Sequence, residues 1–471
     1  MNKYQNTKVL ILGLGLNQGG LGAARFFAKH GAILKVTDLK TVEQLKPSLE
    51  ELKSFENIEY ILGEHRFEDI DWADLIIRNQ GIKPDNKYLK YALEQGKRVE
   101  MDIGIVLEYI NPSQIIGVTG TKGKSTTASL IFQALQSSLR GGTTKQSSSD
   151  KIAASDGRRT RNDVGRVIFA GNIGKGVLDS VEFISENTLL VLELSSFQLE
   201  AFEQHKVSPK YSVITNILRD HLNYYASMKD YIQAKRAIAE YQNESDFLFL
   251  RKDDPLASSK KFLNGLKGEV VYFSEDDLPK DFQPTLPGEH NKLNYAAALK
   301  VVTQLGIESQ KALNAMNQFK GVEFREQLIK EWSGIKIYND TAATTPDAAI
   351  AALKTFPDCV LIAGGMNKNL EFDQFAKAID TYAKAVYFLE GDATEQIKDL
   401  LNSKFNPPAG GQSSKLYGTY NDLEQLLRDV KKTAKSGDTI MFSPGATSFN
   451  LFQNEFDRGR KFNQAVEKVF I

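Results

Sequence analysis

The run Gly117-Val-Thr-Gly120-Thr-Lys122-Gly123-Lys124-Ser125-Thr126-Thr127 constrains this chain more than any other stretch. It follows the apolar pair Ile115-Ile116 and leads into a helical pattern, so its glycines fall at a strand-to-helix turn. At such a turn the backbone N–H groups point inward and the helix N-terminus adds partial positive charge. Together they form a cradle for phosphate oxygens. The chain order suggests roles. Gly120, Thr121, Lys122 and Gly123 line the cradle, and Lys124 lies on the outer phosphates. The Ser125 hydroxyl ligates Mg²⁺, and Thr126 follows on the first helical turn. The spacing departs from strict G-x-x-x-x-G-K-[ST], because Val118 stands where the first glycine belongs and Gly117 lies one step earlier.

A strand-loop-helix of this type needs a parallel sheet around it, and the flanking sequence supplies one. Short β-branched runs alternate with amphipathic stretches: strands at Val9–Leu12, Ile33–Thr37 and Leu75–Ile77, helices at Ala23–Lys29 and Val42–Phe55. That alternation indicates helices on both faces of a parallel sheet. A second α/β unit starts at Ile115. A third begins near Glu323, with strands at Ile335–Tyr338, Val360–Ala363, Ala385–Phe388 and Thr439–Phe442. Boundaries near Asn111-Pro112 and Gly321 give three expected domains: 1–112, 113–321 and 322–471. A chain of 471 residues is long enough for them.

One segment breaks the pattern. Ser137 to Arg166 carries Arg140, Lys145, Lys151, Arg158, Arg159, Arg161 and Arg166 against Asp150, Asp156 and Asp163, with Leu139, Ile152 and Val164 as its large aliphatics. So little apolar surface cannot offset the entropy of ordering, and a solvated insertion is expected. No aromatic residues interleave its charges, which argues against a nucleic-acid arm. Over the whole chain 59 Lys+Arg balance 59 Asp+Glu, so general binding to nucleic acid or membrane surfaces is not expected. Cys359 is the single cysteine, set in the apolar run Cys359–Ala363. It reads as packing, and no intramolecular disulfide is possible. The N-terminus enters a strand at once, without a signal-peptide pattern, and no apolar run approaches the length of a membrane span. A cytoplasmic location is expected.

Other residues carry chemistry only in combination. Gly13-Leu-Gly15-Leu16 opens a second glycine loop, followed at the end of the next strand by Asp38. Gln18 occupies the third glycine's position of a dinucleotide fingerprint, so a nucleotide-binding turn and an NAD-dependent oxidoreductase both remain open readings. Glu193 follows the strand Leu189–Leu192, where a carboxylate beside a phosphate loop anchors nucleotide Mg²⁺. His221 lies in Asn216-Ile-Leu-Arg-Asp220-His221, and Lys235 in a helical pattern that reads by default as surface.

The succession TGTKGKST, Gly171-Asn172-Ile-Gly174, Leu192-Glu193-Leu-Ser195-Ser196-Phe-Gln198, N-x-x-x-D-H-L, Ala234-Lys235-Arg236 and His290-Asn291-Lys-Leu-Asn294 resembles the Mur ligase family. The motifs cover nearly the whole chain outside the insertion. The S-S-F-Q run and the close Ser443-Pro-Gly-Ala-Thr-Ser448 are similar to the branch that adds D-glutamate. The resemblance implies an ATP-dependent, amide-forming ligase that uses Mg²⁺ and joins UDP-N-acetylmuramoyl-L-alanine to D-glutamate. Its fold would be a Rossmann-like N-terminal domain, a central P-loop ATPase-like domain and a C-terminal Rossmann-like α/β domain.

Residue roles follow from the same resemblance. Lys124, Ser125 and Glu193 would hold the ATP phosphates and one Mg²⁺. His221 and Lys235, the latter as a carbamate, would hold a second. Asn291 and Asn294 would meet the adenine end, Asp340 the ribose and Arg325 the phosphates. Gly15, Leu16, Asp38, Asn172, Ser195 and Gln198 would contact the UDP-sugar substrate. Thr344, Lys368 and Ser448 would bind the incoming amino acid. A monomer is expected.

Departures from the family pattern are Ala342 where a lysine is usual, Asn79-Gln80-Gly81 where N-P-G or S-P-G is common, and Asn450 in place of an aspartate. A sibling ligase adding another amino acid, a folylpolyglutamate synthase and a non-catalytic nucleotide sensor are the remaining alternatives. Retention of Lys124, Glu193, His221 and Lys235 together argues against the sensor.

Overall fold

The computed structural model describes residues 3–16, 18–140, 165–171, 176–221, 224–367, 370–405, 415–448 and 451–471. The chain forms two compact units, Met1–Pro284 with Glu289–Phe319 and Thr285–Gly288 with Lys320–Ile471.

The first unit contains two sheets. Strands β1 (Lys8–Leu12), β2 (Ile33–Asp38), β3 (Ile58–Leu62), β4 (Leu75–Arg78) and β5 (Arg98–Glu100) lie in the order β3-β2-β1-β4-β5, every neighbouring pair parallel. Strands β6 (Ile115–Thr119), β7 (Arg166–Gly171), β8 (Thr188–Glu193), β9 (Tyr211–Ile214), β10 (Phe247–Arg251) and β11 (Glu269–Phe273) form the second parallel sheet, ordered β11-β10-β9-β6-β8-β7. Every residue of β6, β8 and β9 is buried. Helices cover both faces of a central parallel strand, so its sequence becomes an unbroken apolar run. One core runs through both sheets, from Val9, Leu21 and Phe27 to Leu192, Phe202 and Ile238. Polar ties cross the same boundary: the Arg25 guanidinium donates to both oxygens of Asp179, at 3.1 and 2.6 Å.

The second unit holds β12 (Gln327–Trp332), β13 (Ile335–Asn339), β14 (Cys359–Gly364), β15 (Ala383–Leu389), β16 (Leu416–Tyr420) and β17 (Thr439–Phe442), ordered β12-β13-β17-β14-β15-β16. All pairs are parallel except β12 with β13. Strand β12 escapes a reading of the sequence because it is a half-exposed edge without a clean apolar alternation. Cys359 is fully buried in β14, and burial pushes its thiol up to about 12, as suits a packing residue.

Two expectations need correction. The helix read as Val42–Phe55 stops at Leu52. The polar segment Ser137–Arg166 is shorter than expected, since the helix Lys124–Arg140 runs into it and β7 begins at Arg166. Leu139 continues the apolar face of that helix, lining a small pocket with Leu135, Val167, Leu189 and Leu305. Residues 141–164 of the expected insertion lie outside the described residues. Among the described residues no helix is long and apolar enough to cross a membrane.

Candidate active site

Open parallel sheets bind ligands beyond the C-terminal ends of their strands. Here the adjacent ends of β9, β6 and β8 bring together three segments distant in sequence. From β6 comes the loop Gly120–Gly123. Gly120 has φ +147° and Gly123 φ +83°. A Cβ at Gly120 would stand 1.9 Å from Thr215 Oγ1, and one at Gly123 would stand 2.4 Å from Asn294 Oδ1. Both backbone shape and crowding therefore demand glycine.

The continuation of β9 holds this loop in place. Thr121 N–H donates to Asn216 O and Lys122 N–H to Asn216 Oδ1, both at 2.9 Å, while Asn216 Nδ2 donates back to Lys122 O at 3.0 Å. On the other side, Thr127 Oγ1 donates to Asn294 Oδ1 at 3.2 Å, and Asn294 Nδ2 to Asn291 Oδ1 at 2.8 Å. Both asparagines expected at the adenine end are buried, and Asn294 is tied to the helix that follows the phosphate loop. Ser125 is buried and Thr126 half-buried on the first turn of the following helix.

The cations of the site crowd together. Lys124 Nζ donates to the carbonyls of Gly120 and Thr121 at 3.0 and 3.1 Å. Lys235, on the helix Met228–Arg236, is 1% exposed, and its Nζ donates to the same Gly120 carbonyl at 3.0 Å. Burial, and then the charge of Lys124, hold the Lys235 ammonium well below its ordinary pKa, with Asp220 opposing. Its ring neighbour is Tyr231, one helical turn earlier, at 4.7 Å from Nζ. His221 has left-handed backbone, φ +54°, and its ring packs edge-on to Phe197 and Tyr231. Burial lowers its pKa. Asp220 opposes that shift, and Lys235, Lys124 and Lys122 add to it.

Glu193 ends β8, is 1% exposed, and its Oε2 has no hydrogen-bond partner among the described residues. A buried carboxylate oxygen without a partner is costly, and a bound cation would satisfy it. Among the described residues no group of three or more His, Cys, Asp and Glu is placed to hold a metal.

A second cluster lies where the first two sheets meet. Ser195 N–H donates to Gln198 Oε1 at 3.0 Å, and Ser195 Oγ donates to Gln80 Oε1 at 3.3 Å across to the N-terminal sheet. Beside them the Arg78 guanidinium pairs with Glu200, which also accepts from Tyr224 Oη at 3.1 Å. At the N-terminal glycine loop, Gly15 N–H donates to Asp38 Oδ2 and Lys40 N–H to Asp38 Oδ1, both at 2.9 Å. Asp38 thus organises its own turn, and Leu16 packs beside it on the core. Asn172 lies outside the described residues.

In the second unit Asp340 follows β13. It accepts from Ser443 Oγ at 2.7 Å and from Glu326 N–H at 3.2 Å. Burial pushes Asp340 up to about 7, and burial plus the Asp340 charge push Glu326 up to about 8. Arg325 is exposed, Thr344 half-buried, and Ser448 buried at 2% exposure. Lys368 lies outside the described residues, next to Asn367, whose N–H donates to Asp392 Oδ1 at 2.7 Å. The structure adds residues to which the sequence gave no role: Thr215 under the phosphate loop, Tyr231 against Lys235 and His221, and Glu326 and Arg458 around Asp340 and Thr341, while Asn216, quoted above only as a motif residue, proves to hold the loop. Tyr231 precedes the Ala234-Lys235-Arg236 motif by one helical turn, which was the one available signal for it.

Three family models match the chain: the Mur ligase MurD-like N-terminal domain over residues 7–100, the Mur ligase middle domain over 118–285, and the Mur ligase glutamate ligase domain over 324–445. A UDP-N-acetylmuramoylalanine--D-glutamate ligase of Roseiflexus sp. is 35% identical over 98% of both chains. Proteins of the same name from Borreliella afzelii and Clostridioides difficile are 34% and 31% identical, covering 100% and 98% of this chain and 99% and 98% of theirs. Among solved structures, the UDP-N-acetylmuramate-alanine ligase of Thermotoga maritima superposes with TM-score 0.59 at 20% identity, covering 98% of this chain and 99% of that one. The MurF ligase of the same organism, solved in complex with ADP, superposes with TM-score 0.54 at 17% identity, covering 99% of this chain and 96% of that one. With its three successive sheets, its phosphate loop at the end of β6 and these full-length relatives, the chain belongs to the Mur ligase family.

Proposed function

We propose that this chain joins the carboxylate of UDP-N-acetylmuramoyl-L-alanine to the amine of D-glutamate at the expense of ATP, a step of peptidoglycan synthesis. One observation carries the reading. A phosphate loop, a buried carboxylate with an oxygen unpartnered among the described residues and a buried lysine held below its ordinary pKa meet at the C-terminal ends of β6 and β8. The printed names of the full-length relatives support the choice of substrates.

A carboxylate is a poor acyl donor. Transfer of the γ-phosphoryl group of ATP makes it an acyl phosphate and releases ADP. The amine of the amino acid then attacks the acyl carbon through a tetrahedral intermediate, and phosphate leaves as the amide forms. Most of the catalytic work is positioning and charge neutralisation. Lys124 would hold the transferring phosphate, which competes for it with the loop carbonyls it now contacts. Ser125 and Glu193 fit one Mg²⁺, and the orphaned Glu193 oxygen is the observation that supports it. His221 and a carbamylated Lys235 fit a second. Bound Mg²⁺ would neutralise charge on the phosphate oxygens. A neutral buried amine is the form that adds CO₂, and the resulting carbamate offers the hard oxygen donors Mg²⁺ prefers.

The other residues divide by ligand across three domains, with proposed boundaries at 112 and 321. Gly15, Leu16, Asp38, Asn172, Ser195 and Gln198 face the UDP-sugar. Asn291, Asn294, Arg325 and Asp340 serve ATP. Thr344, Lys368 and Ser448 take the carboxylates of the amino acid. The test is ADP release with UDP-N-acetylmuramoyl-L-alanine across amino acids of both hands. Release that depends on D-glutamate supports the reading. Release that ignores the amino acid, or prefers an L-amino acid, rejects it.

A further inference from the structure

Arg458 is fully buried, an exceptional setting for a guanidinium, and its hydrogen bonds go to neutral oxygens of Thr341 and Ala446. It belongs to the C-terminal helix Glu455–Val469. Its Nε donates to Thr341 Oγ1 at 2.8 Å, its Nη2 to Thr341 O at 2.8 Å and its Nη1 to Ala446 O at 3.1 Å. Thr341 lies in the segment Asp340–Thr344, and Ala446 in the segment Ser443–Ser448. One planar cation therefore clamps two loops from different strands, β13 and β17. A forked donor suits this geometry, and lysine's single ammonium does not reproduce it.

The surroundings are built for the clamp. Thr341 Oγ1 donates onward to Glu455 O at 3.2 Å, and Asn339 Nδ2 donates to Gly459 O at 3.0 Å. A Cβ at Gly459 would come within 2.6 Å of Thr341 Cγ2, so the helix touches the loop at closest approach. Asp340 is tied separately, through Ser443 Oγ and Glu326 N–H.

We infer that Arg458 is a positioning residue that sets the spacing between Thr344 and Ser448, and through them recognition of the amino acid's carboxylates. This rests on the ligase reading above. Because Asp340 has its own ties, the effect falls on the amino acid more than on ATP.

The experiment compares Arg458→Lys, Arg458→Met and the milder Thr341→Val, which removes the hydroxyl that accepts from Nε. KM for D-glutamate should rise about tenfold or more in the Arg458 variants and severalfold in Thr341→Val, as expected for losing hydrogen bonds from a buried charged group. KM for ATP should move far less. Hydrogen exchange should speed up in 340–344 and 443–448 relative to the strands of the same sheet. A folded variant with unchanged D-glutamate KM, or with equal rises for both substrates, overturns the inference. So does unchanged exchange in those segments. Should neither Arg458 variant fold, Thr341→Val decides by the same two measurements. If the wild type shows no D-glutamate-dependent ADP release, the ligase reading fails, while exchange still decides whether Arg458 clamps the loops.

Discussion

Lys124 and Lys235, far apart in sequence, place their side-chain nitrogens on one acceptor: each donates to the Gly120 carbonyl at 3.0 Å. Two ammonium groups sharing one oxygen repel each other, and burial together with that repulsion holds the Lys235 ammonium below its ordinary pKa. Two lysines thus crowd the phosphate loop, and three predictions concern Lys235 and the neighbouring Glu193.

Lys235→Ala should be nearly inactive while remaining folded. If the amine carries a carbamate, formate or acetate in the vacated volume should restore part of the activity in a concentration-dependent way, and equal chloride should not. Wild-type activity should fall when CO₂ and bicarbonate are stripped. A fully active Ala variant, or one never rescued alongside a CO₂-insensitive wild type, would leave the second metal with His221 alone.

Lys235→Met should abolish turnover yet melt no lower than the wild type at neutral pH in CO₂-free buffer. The folded state holds Lys235 below its ordinary pKa, so folding releases a proton that the unfolded chain keeps up to about pH 10. Wild-type stability should therefore rise with pH across that window, and the advantage of Met should shrink as pH approaches about 10. Thermal melts of both proteins across this range measure it. A Met variant that melts well below the wild type at neutral pH would show that the buried amine stabilises the fold.

Glu193→Gln should separate stability from function. Removing a buried negative charge with an unpartnered oxygen should leave the melting temperature unchanged or higher. ADP release should drop by about a hundredfold or more, the scale seen when one electrostatic contact to the transition state is lost. The apparent Mg²⁺ requirement should rise as well. Normal Mg²⁺ dependence in a folded variant would remove Glu193 from the metal site.

The paired acids of the second unit predict a pH effect of the opposite sign. Glu326 and Asp340 are pushed up to about 8 and about 7. Unfolded carboxylates titrate near about 4, so between these values the folded chain keeps protons that the unfolded chain has lost. This contribution to stability is present at low pH and is lost as pH rises through about 7 to 8. Glu326→Gln should flatten the fall of melting temperature across neutral pH. A variant whose melting curve tracks the wild type at every pH would mean that the pair is not coupled to folding.

Much of this molecule is legible in the linear sequence. The buried runs at β6, β8 and β14 announce parallel strands, because a strand covered on both faces must be apolar throughout. The glycines at 120 and 123 announce the phosphate loop, because other residues cannot take their backbone shapes without strain. Glu193 could be suspected from its place at a strand end, whereas Asp340 came only from resemblance. Lys235 could not be found bottom-up: Gln233-Ala-Lys235-Arg236 has the composition of a solvated helix face, and resemblance alone drew attention to it. Its helix turns Tyr231 and Lys235 inward together, one turn apart, and buries both. Arg458 was likewise silent, one charge among many in a polar helix. Patterning along the chain determines which face of an element is buried and where backbone must bend. Which polar group is stripped of water depends on what the fold brings from elsewhere: Gly120 lies 115 residues from Lys235, and Thr341 lies 117 from Arg458. Desolvation and pairing are properties of that assembled environment, so the tertiary structure alone decided which lysine is held below its ordinary pKa and which arginine became a clamp.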